Sequence, residues 1–335
     1  MRIAIRADSS STIGTGHVMR CLTLSEELLA NGHTVAFYTS EIEVPWLRQL
    51  ISELEIEMQY VEESSISIEQ FSNFNPDWIV VDSYVIPSSE ISNLSSSART
   101  LAIVDLDSRG ISADLFLDQN FNSENAVWPE NVTNKLLAGA KYSLIRNKIL
   151  SSRRPRPWKF KHETPNILCV MGGSDPSGTI IPIAEALSKL TLQFTATIVC
   201  TPHWRTEVEK RLSHDSRVTI VEPTNEIGHL YSQADLVVSA AGSSAWEICT
   251  LGIPALLIAV ADNQQLPLTQ TREAKLALTL DRLSTEKDKF VQEIKDSLEL
   301  LIQDEILREE LSSNSLKHFD GEGKKRVVQA LESHV

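Results

Sequence analysis

The residues with the most chemical potential lie near the start of the chain. In RADSSSTIGTGHVMRCLTL (residues 6–24), His17 follows Gly14 and Gly16 where a loop turns into a helix. A glycine-flanked histidine at a helix start is poorly placed for a core role. The positive end of the helix favours its neutral form, which leaves it able to take a proton near pH 7. By type and position, general base and simple N-terminal hydrogen bonding are equally open. Asp8, ahead of a run of serines, is either a turn former or a partner that orients His17, and the turn is favoured. The loop could also accept a phosphate or a reacting anion. It lacks the third glycine of a dinucleotide fingerprint, and no clear acidic residue ends the second strand, which argues against a nicotinamide-dependent enzyme.

The second half of the chain carries three further loops of this kind. In CVMGGSDPSG, Gly172 and Gly173 permit close backbone approach, while Ser174 and Asp175 can cap the following helix. An ordinary capped turn is the competing explanation. In VVSAAGSSAWEI, Gly242, Ser243 and Ser244 open a helix that carries Glu247 about one turn in, a pattern suited to a phosphate cradle with a carboxylate for ribose hydroxyls. Trp246 beside it reads as core. ADNQQ sets Asn263 and Gln264 at another helix start, where N-capping is an equal explanation. The case rests on several such loops converging.

These loops need a scaffold. Apolar runs at Ile3–Ile5, Thr34–Tyr38, Trp78–Val81, Leu101–Val104 and Leu115–Leu117, with a helix over about Val18–Ala30, predict a parallel α/β sheet. The rhythm lapses in SSRRPRPWKFKHETP (151–165) and restarts with Asn166–Met171, Phe194–Cys200, Val218–Val221, Leu236–Ala240 and Ala255–Val260. Expected helices cover about Ile180–Leu190 and Arg205–Leu212, start near Ser244, and lie beyond Asn263. The prediction is two Rossmann-like, doubly wound domains with a cleft between them, a GT-B arrangement. The domains are expected over 1–150 and 166–320, joined by a linker at 151–165. A C-terminal helix over 321–335 is expected to pack back on the first domain.

Composition narrows the partners. A net charge of -14 argues against a generic surface for nucleic acid or anionic membrane, so an anionic ligand must be met locally by backbone N–H groups. Cys21, Cys169, Cys200 and Cys249 are far apart in sequence and form no C-x-x-C pair, so buried free thiols are expected. No histidine forms a metal-ligand spacing with a second plausible ligand, and no cofactor is expected. The N-terminus is too quickly polar for a signal peptide and no apolar run has membrane-spanning length, so a cytoplasmic location is expected, and a monomer is the expected state.

Taken in order, these motifs, with LDQN at Leu117, YSLIR at Tyr142 and LGIPALLI at Leu251, resemble the UDP-sugar hydrolases of pseudaminic acid biosynthesis and the related spore-coat polysaccharide proteins. Those are themselves similar to MurG-type glycosyltransferases. The resemblance, from Arg6 to about Gly323, implies hydrolysis of UDP-2,4-diacetamido-2,4,6-trideoxy-β-L-altropyranose by water attack at the anomeric carbon, with inversion. It implies His17 as general base and Tyr84 on the sugar side. It implies uracil near Thr224–Gly228, Ile227 included, ribose at Glu247, and pyrophosphate at Gly172–Ser174 and Gly242–Ser244. Arg146 and Asn263 match ligand-contact positions. Two motifs depart from the family: this chain has Asp82-Ser83-Tyr84 where members commonly read D-H-Y, and Asp105-Leu106-Asp107 where they read D-D, both on the expected sugar side. A transferase of the same fold and a non-catalytic UDP-sugar-binding component are the alternative readings.

Overall fold

The computed structural model describes residues 1–9, 14–40, 42, 44–153, 159–160, 163–172, 175–224 and 226–334. Gly173 and Ser174, and part of the expected linker, lie outside the described residues.

The first 146 residues form seven parallel strands: β1 (Arg2–Ala7), β2 (Thr34–Thr39), β3 (Glu57–Tyr60), β4 (Trp78–Asp82), β5 (Arg99–Ile103), β6 (Leu115–Asp118) and β7 (Leu136–Ala138). Their order is β3-β2-β1-β4-β5-β6-β7, the doubly wound pattern in which the chain starts at the centre and reverses beside β1. The helices among them are α1 (Gly16–Ala30), α2 (Pro45–Glu53), α3 (Ser88–Leu94) and α4 (Glu130–Thr133). The central strands read as continuous apolar runs because both sheet faces are covered. Ile3, Ile5, Trp78 and Val80 pack into one core, and Ala4, Ile79 and Val81 into the other. Strands β3 and β7 were not anticipated. β3 is largely exposed, so it has no apolar alternation to betray it, and β7 is three residues long.

From Asn147 the chain builds a second unit, which runs to Asp320. It contains α5 (Asn147–Leu150), α6 (Ile180–Ser188), α7 (Pro202–Leu212), α8 (Ile227–Gln233), α9 (Ser243–Leu251), α10 (Gln265–Glu273), α11 (Lys287–Gln303) and α12 (Glu305–His318). Its strands are β8 (Asn166–Val170), β9 (Thr195–Val199), β10 (Val218–Val221), β11 (Leu236–Ala240), β12 (Ala255–Ala259) and β13 (Leu278–Asp281), in the order β10-β9-β8-β11-β12-β13, all parallel. The units divide at Arg146–Asn147 instead of within 151–165, because α5 packs on α8 and α9 of the second unit.

The last helix, α13 (Gly323–Ser333), returns to the first unit and packs on α1. Val327, Val328 and Leu331 enter the core beneath α1, and the buried Lys324 ammonium lies 3.3 Å from Glu26. Gly323 is required there, since a Cβ would fall 2.2 Å from the Ser143 carbonyl oxygen.

Candidate active site

In a parallel sheet the carboxyl ends of all strands share one edge, and β1, β4, β5 and β6 deliver their following residues there. Helix α1 begins at that edge two residues earlier than the sequence pattern indicates, at Gly16, and no side chain caps its N-terminus. Gly14 has φ +80, a conformation open to glycine at little cost. His17 therefore sits in the first turn of α1, and Arg20 lies one turn further along the same face.

The partner of His17 is Asp82, the last residue of β4. Its Oδ1 lies 2.6 Å from His17 Nδ1. A carboxylate only accepts, so the Nδ1 proton points at Asp82 and the Nε2 lone pair is left for other use. Asp8 is not the orienting group. Its Oδ2 is 2.6 Å from Arg6 Nη1 and its Oδ1 accepts from the Ser40 backbone N–H, which ties the end of β1 to the end of β2.

Behind Asp82 stands Arg20, 8% exposed, whose guanidinium grips two carboxylates at once. Nε and Nη2 donate to Asp82 at 2.5 and 2.7 Å, and Nη1 and Nη2 donate to Asp105 at 2.9 and 3.0 Å. Burial opposes ionisation of both acids, but the Arg20 charge outweighs it, helped at Asp82 by His17, and holds both carboxyls below the usual range. Asp105 also accepts from Asn120 Nδ2 at 2.9 Å and from the Tyr84 hydroxyl. Burial and the Asp105 charge push the Tyr84 phenol up, so it stays a donor. The half-exposed Tyr84 ring meets the His17 ring edge-on with centroids 4.8 Å apart.

Asp118, at the end of β6, accepts from the Leu106 and Asn120 backbone N–H groups at 2.5 and 2.9 Å. Burial nevertheless pushes its carboxyl up to about 6, with the Asp105 charge adding to the effect. Leu106, one of the two departures from the family pattern, has φ +59, a left-handed conformation that costs a leucine roughly 1–2 kcal/mol.

The second unit presents backbone where the first presents side chains. Helix α9 starts after Gly242 with no side-chain cap and no acid in its first turn, which suits its N-terminal N–H groups at Ser243 and Ser244 to an anion. Gln264 closes the loop beside it: its Oε1 accepts from Val260 N–H at 2.9 Å, and its Nε2 lies 3.6 Å from where a Gly242 Cβ would be. Asn263 is exposed on the same turn and Glu247 is half-buried in α9. Helix α6 differs, because Asp175 accepts from Thr179 N–H and Ile180 N–H at 3.0 Å each. Asp175 thus already satisfies the start of α6, and among the described residues of that loop Gly172, exposed and at φ +75, permits close approach. Ile227 is buried at the start of α8 and Arg146 is half-buried at the end of the first unit.

Arg20, Asp82, Asp105, Asp118 and Asn120 were not assigned roles from sequence. The readable signal was an acid at the last position of β4 and of β6, with an arginine one turn beyond His17. Among the described residues no cluster of His, Cys, Asp and Glu could hold a metal ion, and no helix is long and apolar enough to cross a membrane. All four cysteines are free and buried, and burial pushes the thiols of Cys169 and Cys249 up to about 12.

Two parallel-sheet, Rossmann-like units with these connections define the GT-B class of fold. Residues 167–325 match the glycosyltransferase family 28 C-terminal domain. The chain is 26% identical over 270 residues to an uncharacterized protein of Methanocaldococcus jannaschii, covering 77% of this chain and 55% of that protein, so it spans about half that relative's length. It is 21% identical to the spore coat polysaccharide biosynthesis protein SpsG of Bacillus subtilis, over 79% of each. Among solved structures, MurG of Acinetobacter baumannii matches with a TM-score of 0.67 at 15% identity, covering 99% of both chains. The UDP-GlcNAc 2-epimerase of Neisseria meningitidis, bound to UDP-GlcNAc, matches with a TM-score of 0.70 at 15% identity, covering 99% of this chain and 100% of that one.

Proposed function

We propose that this protein is an enzyme that releases UDP from a UDP-activated amino sugar by hydrolysis, with His17 as the general base. The observation that carries the reading is the His17–Asp82 contact at 2.6 Å. A carboxylate on Nδ1 fixes the imidazole tautomer, and Nε2 can then take a proton from water as it attacks the anomeric carbon. UDP departs from the opposite face, so the product has inverted configuration. In this reading the first unit carries the base and the sugar side, with Tyr84 beside His17. The second holds UDP, with the uncapped start of α9 and Gly172 at the diphosphate, Glu247 at the ribose and the start of α8 near the uracil. Backbone N–H groups at a helix start stabilise the negative charge that develops on the leaving diphosphate.

For the sugar we infer a 2,4-diacetamido-2,4,6-trideoxy hexose, the UDP-β-L-altropyranose derivative of pseudaminic acid biosynthesis first, on the motif resemblance alone; the likeness to a spore coat polysaccharide biosynthesis protein supports a carbohydrate substrate more broadly. Ser83 and Leu106 are the positions where a different hexose would be accommodated. A second reading, transfer to an acceptor hydroxyl in place of water, draws support from the family 28 C-terminal match. Incubation with a panel of UDP-diacetamido sugars in buffer alone, followed by NMR, separates the two. UDP release with an inverted free sugar is expected, and release only when an acceptor is added would overturn hydrolysis in favour of transfer.

A further inference from the structure

We propose that Arg20 is a positioning residue that couples His17 and Tyr84 into one unit, holding Asp82 behind the imidazole and Asp105 behind the phenol. The inference rests on the reading of His17 as the base and extends it to a group that touches no substrate.

The geometry is specific to a guanidinium. Four N–H···O bonds of 2.5–3.0 Å run from one plane to two carboxylates on neighbouring strands' ends. A lysine ammonium, with three donors on a flexible stem, cannot reproduce the two bidentate grips. Each carboxylate in turn accepts from a ring group facing the site, His17 Nδ1 on Asp82 and the Tyr84 hydroxyl on Asp105. The two rings touch edge-on, so their relative placement follows from the pair of carboxylates that Arg20 spaces. The groups that face His17 are Asp82 and the Cys21 thiol behind it, Arg20 on its own helix, and Tyr84; Asp105, Asn120 and Asp118 stand behind Arg20. Asp105 draws part of the Arg20 charge away from Asp82, and this leaves Asp82 more of its own charge to offer the imidazole.

The test uses the full chain labelled with 15N-histidine, the His17 signals being assigned by their loss in His17→Ala. Arg20→Lys keeps the charge and loses the fork. The expected result is loss of the single Nδ1–H tautomer, with a fall in kcat of about 10- to 100-fold and little change in KM. Asp105→Asn keeps the shape and releases Arg20 charge toward Asp82. The expected result is a weaker His17 Nδ1–H···Asp82 hydrogen bond, read as an upfield move of the Nδ1 proton signal, together with a fall in kcat. Wild-type tautomer and kcat in Arg20→Lys, or an unmoved Nδ1 proton signal in Asp105→Asn, would overturn the coupling. The 15N spectra report on it without turnover. A wild type that releases no UDP therefore sinks the proposed function, while the spectra still decide the coupling.

Discussion

The two sheets share a winding pattern, yet the loops at their carboxyl edges are built from different chemistry. In the first unit the edge is crowded with charged side chains. Asp82, Asp105 and Asp118 end or follow successive strands, and Arg20 and His17 reach them from α1. In the second unit the loops after β8 and β11 hold glycine and serine, with Asp175 closing the start of α6 and no acid in the first turn of α9. In the proposed reading one scaffold serves proton chemistry at one edge, where a low-dielectric cluster sets charges against one another, and anion binding at the other, where backbone dipoles act without net charge. The acidic chain, at -14, is compatible with a diphosphate ligand because the second mode uses no lysine or arginine.

The sharpest way to break this contrast is at the first edge. His17→Ala is expected to lower kcat for UDP release by about 10²- to 10⁴-fold, with UDP affinity by calorimetry unchanged; equal rates would remove the base from the mechanism. Asp82→Asn strikes the same edge and leaves one face of the buried guanidinium without its ionic partner. A loss of about 3 kcal/mol in denaturant stability is expected together with a fall in kcat.

At the second edge, Ser243→Glu places a carboxylate in the first turn of α9. UDP affinity should fall at least about tenfold, which is 1.4 kcal/mol. Stability should hold or rise by about 0.3–1 kcal/mol, because an acid suits a helix N-terminus. Unchanged affinity would show that the diphosphate goes elsewhere.

A smaller effect separates the three acids of the first edge by pH. The folded-state value of Asp118, about 6, lies above the ordinary 3.8 of an unfolded aspartate. Between these values the native state holds a proton that the unfolded chain has released, so the Asp118 contribution to stability falls as pH rises from about 4 to about 6. Asp82 and Asp105, held low, contribute stability above about pH 4 that is lost as pH falls through their native values. Asp118→Asn should flatten the decline between pH 4 and 6 in urea midpoints, and an unaltered slope would remove Asp118 from that balance. The least change is expected of Leu106→Gly. Relief of the left-handed strain stabilises the fold by at most about 1 kcal/mol, partly offset by the greater entropy of glycine in the unfolded chain.

How legible the site was depended on whether its parts are local in the chain. The α1 loop, the α9 loop and the central strands could be read because glycine and helix-start signals lie within a few residues of one another, and because buried parallel strands announce themselves as apolar runs. Asp8, nine residues from His17 in the chain, was the lesser alternative as its partner, whereas the residue that meets His17 is 65 residues away and gave no local signal. β3, β7 and β13 escaped notice as edge strands, whose half-exposed residues carry little pattern.

What the sequence by itself determined was the two-sheet α/β architecture and the glycine-flanked histidine at a helix start. Only the tertiary structure decided which carboxylate faces that histidine, that Arg20 joins two acids from different strands, and that Asp175 closes the start of α6. The physical reason is that parallel strands separated by dozens of residues end at a common edge, so the groups that set charge and tautomer there meet through sheet topology, and no local spacing encodes that meeting.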